Sequence, residues 1–155
     1  MFLNFLVGFD SPLVPESESI FLARLELQAN NFTQSLPPEI FGLSALQDLY
    51  LDKNSKLGGV MPTDIAKLTQ LERLRLGETQ IGGPLPAEFF GMVTLIDFVV
   101  PQCGFSGFMD PSQWGKLSNL EELDISFNKF EGPVPPIFVN NLTRLGKERV
   151  FFLFG

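Results

Sequence analysis

Hydrophobic and polar positions alternate over short stretches that recur along this chain. Between Leu120 and Pro135 one such stretch is complete: Leu123 and Ile125 alternate with polar residues, Asn128 follows, and Gly and Pro close the segment. Alternation predicts a short strand, because successive side chains of a strand point to opposite faces. The Asn, Gly and Pro that follow predict a tight turn and the start of a new element.

Five hexamers of this kind can be aligned along the chain. They are separated by 24, 25, 24 and 25 residues, and they begin at Leu25, Leu49, Leu74, Phe98 and Leu123. The extra residue of each longer step lies between the Asn position and the following Pro, inside the turn, where insertions are tolerated. One unit cannot bury its own apolar face, so the repeat predicts a solenoid of stacked coils.

The second half of each unit has a different spacing. In the first unit, Pro37 and Pro38 fit the first turn of a helical segment. Ile40, Leu43 and Leu46 then recur at intervals of three residues. This spacing predicts a 3₁₀-like or irregular helical stretch on the side of the coil opposite the strand.

A polar residue closes each hexamer at the bend. A tight bend leaves backbone groups inside the protein, where an unpaired one costs about 1–3 kcal/mol. A side-chain amide can satisfy both a donor and an acceptor there, which predicts a structural ladder of Asn30, Asn54, Thr79, Cys103 and Asn128. Thr79 and Cys103 are weaker hydrogen bonders, so we expect a less well satisfied bend in the middle coils. Cys103 is accordingly interpreted as a ladder residue rather than a reactive thiol.

Composition narrows the classes of function. The 155 residues fit one domain with a real core, since 45% are hydrophobic and 19% charged. A net charge of −7 with scattered Lys and Arg argues against nucleic-acid binding. The absence of His and the single Cys exclude His-based catalysis, the usual zinc sites and an internal disulfide. No cofactor is predicted, and no apolar run is long enough for a membrane-spanning helix.

The pattern L-x-x-L-x-x-L-x-L-x-x-N-x-L-x-G-x-[IVL]-P resembles the leucine-rich repeat, specifically its plant-type subclass. It is clearest from Leu117 to Pro135 and from Leu68 to Pro86. The resemblance implies an α/β repeat fold, a leucine-rich-repeat solenoid with one parallel β-sheet on the concave face and 3₁₀ or short helical segments on the convex face. Two departures stand out: Gln34 and Ser35 replace the expected Gly region, and Pro101 follows a strand, which predicts weaker pairing there.

The resemblance also divides the chain. Residues 1–21 are expected to form a degenerate first coil or an N-terminal cap, and residues 22–141 five leucine-rich repeats. Residues 142–155 are expected to form an irregular C-terminal cap or a truncated repeat, because the apolar residues of the next strand arrive late. The opening MFLNFLVGF lacks the basic region and cleavage site of a signal peptide, and is interpreted as an apolar strand closing the core. Localisation stays open, although the family resemblance implies an extracellular or cell-surface protein.

In this family the residues between the core leucines face outward from the concave side. Reading them by position gives four columns: first Arg24, Asp48, Arg73, Asp97 and Glu122; second Glu26, Tyr50, Arg75, Val99 and Asp124; third Gln28, Asp52, Gly77, Pro101 and Ser126; fourth Ala29, Lys53, Glu78, Gln102 and Phe127. Large apolar groups and two arginines flanked by carboxylates predict a protein-binding patch. Its candidate residues are Tyr50, Asp52, Arg73, Arg75, Asp97, Val99, Asp124 and Phe127.

Other functions stay open at this point. The face could be a mixed solvated surface without a ligand, or a glycan site. Asp97 with Glu122 or Asp124 could form an acid–base pair, but an open face offers little desolvation to raise a pKa. Two N-x-T triplets, at Asn31 and Asn141, permit N-glycosylation if the chain enters the secretory pathway.

The resemblance to receptor-like ectodomains and polygalacturonase inhibitors implies a non-catalytic module that binds a protein or peptide ligand in recognition, signalling or defence. The alternative is a structural or vestigial fragment of a longer leucine-rich-repeat receptor that self-associates end to end through its apolar termini. An ice- or mineral-binding protein would need a ladder of Thr or Asn at exposed positions, and no column has one.

Overall fold

Each coil of the solenoid contributes two short strands joined by a bend. The computed structural model describes residues 22–136, residue 138 and residues 150–151. The strands that begin the coils are Arg24–Glu26 (β1), Asp48–Tyr50 (β3), Arg73–Arg75 (β5), Asp97–Val99 (β7), Glu122–Asp124 (β9) and Val150–Phe151 (β11). The strands that follow the bends are Thr33–Gln34 (β2), Lys56–Val60 (β4), Gln80–Pro84 (β6), Gly104–Phe108 (β8) and Lys129–Glu131 (β10).

The first set of strands forms a six-stranded parallel sheet in the order β1-β3-β5-β7-β9-β11. The core residues of the repeat pair in register: Leu25 with Leu49, Leu49 with Leu74, Leu74 with Phe98, and Phe98 with Leu123. This register follows from the alternation within each strand, since a shift by one residue would move each leucine to the solvent face, and the extra residues of the longer coils lie outside these strands. The predicted solenoid with a parallel sheet is therefore confirmed.

Short helical segments close the opposite side of the coils, as predicted. Three are 3₁₀ helices, Pro38–Gly42, Thr63–Lys67 and Ala87–Gly91. The fourth, Pro111–Trp114 (α1), is α-helical, and its N-cap Asp110 accepts a hydrogen bond from the Ser112 amide at 2.8 Å. Asp110 takes the N-cap position that Pro37, Pro62 and Pro86 hold in the other coils, so a side-chain cap replaces a proline there.

A second parallel sheet, in the order β10-β8-β6-β4-β2, was not predicted. It occupies the region interpreted from sequence as a turn. Its strands are rich in glycine and pass one another closely: a Cβ added to Gly82 would lie 2.3 Å from the Gly104 carbonyl oxygen. The strands of this sheet thus lie mostly before the G-x-[IVL]-P segment, and the pairing of β6 with β8 needs glycine at Gly82 for close backbone approach.

Aromatic side chains fill much of the core in the last coils. Phe89 and Phe98 have ring centroids 4.8 Å apart, and Phe105 stacks on Phe130 at 6.3 Å. Trp114, 1% exposed, packs edge-on against Phe90, Phe130 and Phe138. The high Phe content of the chain is therefore explained in part by a continuous aromatic core that replaces leucines.

The expectation that Pro101 weakens strand pairing is wrong. The strand bonds around it remain: the Val100 amide donates to the Asp124 carbonyl at 2.7 Å, and the Gln102 amide to the Ser126 carbonyl at 3.0 Å. The Pro101 carbonyl accepts from the Glu78 amide. At the same position of another coil, the Gly77 amide donates to the Asp52 side chain instead of a neighbouring strand. A proline here therefore removes no bond of the sheet.

The ends of the chain lie mostly outside the described residues, and the expected N-terminal coil is among the parts that are not described. Strand β11 pairs in parallel with β9, Val150 opposite Leu123 and Phe151 opposite Asp124. Leu123 and Val150 are therefore 27 residues apart, against 24 or 25 in the earlier coils. The next strand begins late, at the first of the apolar residues noted in the sequence.

Candidate functional site

The outer face of the six-stranded sheet brings the predicted columns together. Each first-column residue is paired in register with the first-column residue of the next strand, from β1 through β3, β5 and β7 to β9. The second-column residues are paired in the same way. Neighbouring strands of a sheet lie about 4.8 Å apart, so each column is a continuous row of side chains. We call the four columns together the concave face.

Arg73 lies between two buried carboxylates of neighbouring strands. Its Nη1 is 3.1 Å from Oδ1 of Asp48, and its Nε is 3.5 Å from Oδ2 of Asp97. The hydrogen bond to Asp48 raises the pKa of Arg73. Arg24 reaches the other oxygen of Asp48, with its Nη2 2.6 Å from Oδ2. These arginines cover Asp48, which is 5% exposed.

Arg75 extends the network toward the C-terminal coils. Its Nη2 lies 3.3 Å from Oδ2 of Asp97 and 2.8 Å from Oε2 of Glu122. Burial works to lower the pKa of Arg75, but the charges of Glu122 and Asp97 outweigh it, and the pKa is raised. The buried Nε of Arg75 has no hydrogen-bond partner among the described residues.

Tyr50 lies between two arginines of this network. The guanidinium carbons of Arg24 and Arg75 are 5.8 Å and 5.7 Å from the centre of its ring, within range of a cation–π interaction. Burial, and then the charge of Asp48, raise the pKa of Tyr50. The ring is therefore fixed on the face, with part of its surface accessible.

Two predicted binding residues are engaged within the protein. Asp97 is 6% exposed and covered by Arg73 and Arg75, so its carboxylate is engaged within the protein, and its role in binding stays a prediction. Asp52 is half-buried, and its Oδ1 accepts a hydrogen bond from the Gly77 amide at 3.0 Å. Burial raises the pKa of Asp52. Both carboxylates hold neighbouring coils together.

The C-terminal part of the concave face is more open. Val99 and Asp124 are half-buried neighbours in register, and Phe127 is 55% exposed. Oδ1 of Asp124 accepts from the Ser126 amide at 3.0 Å and from its hydroxyl at 2.6 Å. Asp124 therefore lies on the face, and no arginine of the network described above forms an ion pair with it.

Residues of the fourth column occupy the bend itself. All have positive φ: Ala29, Lys53, Glu78, Gln102 and Phe127, at 53–60°. The left-handed conformation disfavours residues with large side chains, so the bend imposes it on whatever residue stands there. The fourth column is thus an edge of the concave face rather than a position in the strands.

The amides of Asn54 and Asn128 bridge successive coils. Nδ2 of Asn54 lies 2.7 Å from the Leu51 carbonyl in its own coil and 3.0 Å from the Leu27 carbonyl in the preceding one. Asn128 repeats the arrangement with Ile125 and Val100, at 3.2 Å and 2.6 Å.

The acceptor oxygens of these amides are also engaged. Oδ1 of Asn54 accepts from the Phe32 amide at 3.4 Å, and Oδ1 of Asn128 from the Phe105 amide at 3.0 Å. Asn30, half-exposed at the first bend, donates to the carbonyls of Leu27 and Gln28.

Hydrogen bonds at the middle bends are longer and fewer. Oγ1 of Thr79 lies 3.5 Å from Sγ of Cys103, and the Ile81 amide donates to Thr79 Oγ1 at 3.4 Å. Cys103 Sγ lies 3.1 Å from the Leu76 carbonyl of the preceding coil. Burial raises the pKa of the Cys103 thiol, which disfavours the reactive thiolate.

Some notable residues were not among the predicted site residues. Arg24 and Glu122 complete the ion-pair network, and their position in the first column could have identified them from the sequence. Val60 and Phe108, each 65% exposed, lie on the second sheet directly after glycines with positive φ. The position after Gly in the repeat motif could have identified them.

The predicted acid–base pair and modification sites can also be placed. Asp97 and Glu122 both bind Arg75, so this pair of carboxylates shares a cation. Within the described part of the chain, no group of His, Cys, Asp and Glu is arranged to hold a metal ion, and no helix has the length and apolarity to cross a membrane. Asn31 and Thr33 of one glycosylation triplet are exposed. Asn141 of the other lies outside the described residues.

Comparison with known proteins places the chain in a family. Two models described as leucine-rich repeat match residues 21–81 and 119–141. A sequence search of curated proteins gives no match. One similar solved structure is the ectodomain of the plant membrane receptor kinase GASSHO1/SCHENGEN3 from Arabidopsis thaliana in complex with CASPARIAN STRIP INTEGRITY FACTOR 2. The TM-score is 0.73 and the identity 30%, over 90% of this chain and 16% of that chain.

Two further structures resemble the chain. The ectodomain of the receptor kinase SOBIR1 from Arabidopsis thaliana matches with a TM-score of 0.72 and 29% identity, over 84% of this chain and 67% of that chain. The plant peptide hormone receptor RGFR1 in complex with RGF2 matches with a TM-score of 0.70 and 26% identity, over 82% of this chain and 20% of that chain. The chain thus spans a fifth or less of the length of two of these receptors.

Proposed function

Because the chain belongs to the leucine-rich-repeat family, we propose that it binds a peptide or protein segment along its concave face, as a recognition or signalling module without catalysis. The observation that carries the proposal is the second column, in which Tyr50, Arg75, Val99 and Asp124 stand side by side on paired strands. Aromatic, cationic, apolar and anionic groups in one row suit an extended segment of mixed side chains.

Similar structures support this proposal. GASSHO1/SCHENGEN3 and RGFR1 were each solved in complex with a partner, CASPARIAN STRIP INTEGRITY FACTOR 2 and RGF2. The proposal for this chain concerns the class of ligand, a peptide or protein segment, and not those partners. The absence of His and the ion pairs of Asp97 and Glu122 with Arg75 speak against chemistry on this face.

Panning a displayed library of random peptides against the full chain tests the proposal. Val99→Ser removes an apolar group from the face, while Val93→Ser makes the same change at a residue that is 52% exposed and follows the 3₁₀ helix Ala87–Gly91 on the convex side. We expect selected peptides to bind the Val93→Ser variant like the wild type and the Val99→Ser variant at least about tenfold more weakly. Equal binding by the two variants, or no enriched peptide, would overturn the proposal.

End-to-end self-association is the second candidate function. In the described part of the chain, β10 ends the second sheet and pairs on one side, with β8. An open edge of this kind offers backbone groups to another chain. Measuring the solution mass over a dilution series tests this candidate: an association that grows with concentration supports it, and a mass that stays monomeric contradicts it.

A further inference from the structure

The charges of the concave face are unequal, and this bears on the chemistry of its ligand. The four columns carry seven carboxylates and four cations, and the whole chain has a net charge of −7. Three of the cations are arginines, each bound to carboxylates of this chain: Arg24 to Asp48, Arg73 to Asp48 and Asp97, and Arg75 to Asp97 and Glu122.

An anionic ligand would have to compete for these arginines. Their carboxylate partners Asp48 and Asp97 are 5% and 6% exposed, so withdrawing an arginine leaves a buried charge without its partner. Breaking a buried ion pair in this way is strongly unfavourable. The arginines therefore serve the protein itself, and the field that remains on the face is negative.

The accessible apolar groups lie near Asp124, a carboxylate that none of these arginines binds. Val99, Pro101 and Phe127 surround the C-terminal part of the face, and no Lys or Arg occurs in the four columns on β7, β9 and their bends. Asp124 lies among them, hydrogen-bonded through Oδ1 to Ser126. We call Val99, Pro101, Asp124 and Phe127 the C-terminal patch.

Phe127 has no evident structural role in this patch. The residue is 55% exposed, and its φ of +55° is unfavourable for a large side chain. In other coils the same bend is occupied by the small or polar residues Ala29, Lys53, Glu78 and Gln102. The aromatic ring is thus available to a partner instead of the core.

We infer that the ligand of the concave face is a cationic extended segment, in which a Lys or Arg approaches Asp124 and an adjacent large apolar residue packs on Val99 and Phe127. This inference rests on the proposed function and specifies its ligand. Opposite charges across the interface would steer association and make it weaken with salt. The ring of Phe127 offers a cation–π contact as well as apolar area.

The test uses pools of synthetic peptides of about nine residues, since at ~3.3 Å per residue such peptides can cross five strands. Every peptide carries a fixed Leu or Phe. In the cationic pools this residue is paired with Lys or Arg, and in the matched acidic pools with Asp or Glu. Binding of each pool to the immobilised full chain is measured. We expect the cationic pools to bind at least about tenfold better than the acidic ones, with the difference shrinking between roughly 0.05 and 0.3 M salt.

Variants assign the effect to the patch. Phe127→Gly is expected to keep or raise the melting temperature while weakening binding of the cationic pools several-fold. Gln34→Gly likewise places glycine at a residue with positive φ, on β2 and outside the four columns, and should leave binding unchanged. Asp124→Asn should remove the preference for cations. The inference would be overturned if Phe127→Gly and Asp124→Asn both still bound the cationic pools like the wild type and still preferred them to the acidic pools.

The same experiment separates this inference from the proposed function. If the acidic pools bind as well as or better than the cationic ones, and Val99→Ser weakens their binding while Val93→Ser does not, the concave face is a binding site but its ligand is not cationic. If no pool binds in a way that depends on Val99, the proposed function fails together with the inference.

Discussion

Arg75 and Glu122 form an ion pair across an intervening strand, with Nη2 of Arg75 2.8 Å from Oε2 of Glu122 although 47 residues separate them in sequence. Arg75 lies on β5 and Glu122 on β9, so the arginine spans β7 and contacts Asp97 on the way. The side chains of three coils are thus connected on the concave face.

Removing the charge of Arg75 is therefore expected to destabilise the fold. In Arg75→Gln, the buried Asp97 loses a cationic partner, which we expect to lower the free energy of unfolding by about 1–3 kcal/mol in urea denaturation. Lys67→Gln is the matched control, because Lys67 pairs at 2.8 Å with Asp64 and both are well exposed. Its cost should stay below about 1 kcal/mol.

Equal costs for the two variants would contradict a structural role of Arg75. For the same reason, an Arg75→Glu variant would not serve as a test of binding. A third carboxylate beside Asp97 and Glu122 would destabilise the fold, and loss of binding could not be assigned to the face.

Asn54 offers a test of the ladder. Asn54→Ala leaves the carbonyls of Leu27 and Leu51 without this donor in a site where Asn54 is 0% exposed, and we expect a loss of about 3 kcal/mol. Asn30→Ala removes the same side chain at a half-exposed bend, where water can replace it, and should cost about 1 kcal/mol. Thermal unfolding of both variants measures the difference, and similar losses would rule out the role of burial.

The parts of the fold that could be predicted depend on local patterns that repeat. The leucine spacing determines the register of β1, β3, β5, β7 and β9, and the bend position identifies Asn54 and Asn128 as candidates for bridging amides. The second sheet was missed because segments such as Gly58-Gly59-Val60 have low intrinsic strand propensity, and their pairing depends on the neighbouring coil.

Placement of charges was predictable only in part. The columns correctly set Arg73 beside Asp48 and Asp97. Which carboxylate is buried depends on how far each arginine side chain reaches across the strands, and that distance is a tertiary property. Asp97 therefore looked like a surface residue in the sequence although two arginines cover it.

Close backbone approach in the second sheet predicts a sharp difference between two glycines. A Cβ on Gly82 would lie 2.3 Å from the Gly104 carbonyl oxygen, whereas a Cβ on Gly104 would meet Gly82 Cα at 3.4 Å, an ordinary contact. We expect Gly82→Ala to destabilise the protein by about 3 kcal/mol, through strain that the backbone must absorb. Gly104→Ala should stay within about 1 kcal/mol by the same urea titration. Tolerance of both substitutions would show that strands β6 and β8 can move apart without cost.

Gln34 offers a way to stabilise the protein. Its φ is +75°, and the corresponding positions of the other coils are Gly59, Gly83, Gly107 and Gly132, all with positive φ. Gln34→Gly should relieve left-handed strain and raise the free energy of unfolding by about 1 kcal/mol. Gln28→Gly, at an exposed residue outside the positive-φ set, should instead lower it by about 0.5–1 kcal/mol. A loss of stability in Gln34→Gly would show that the side chain has contacts that outweigh the strain.

Asp52 and Asp110 should give opposite pH dependences. Burial raises the pKa of Asp52 above its ordinary 3.8, so its ionised form opposes folding, and this cost is absent below pH 3.8 and complete above the folded-state pKa. Asp52→Asn keeps an oxygen for the Gly77 amide and should therefore raise the melting temperature at pH 7, with a gain that disappears as the pH falls toward 3.8.

Asp110 has the reverse sign. The hydrogen bond from the Ser112 amide lowers its pKa from 3.8, so the ionised cap stabilises the fold above that pH, and the stabilisation is lost as the pH falls through the folded-state pKa. Asp110→Asn should lower the melting temperature at pH 7 and have progressively less effect in acid. Melting curves of the two variants and the wild type between about pH 3 and 7 decide the matter. Shifts of the same sign in both variants would contradict the opposite charge environments that the structure gives these carboxylates.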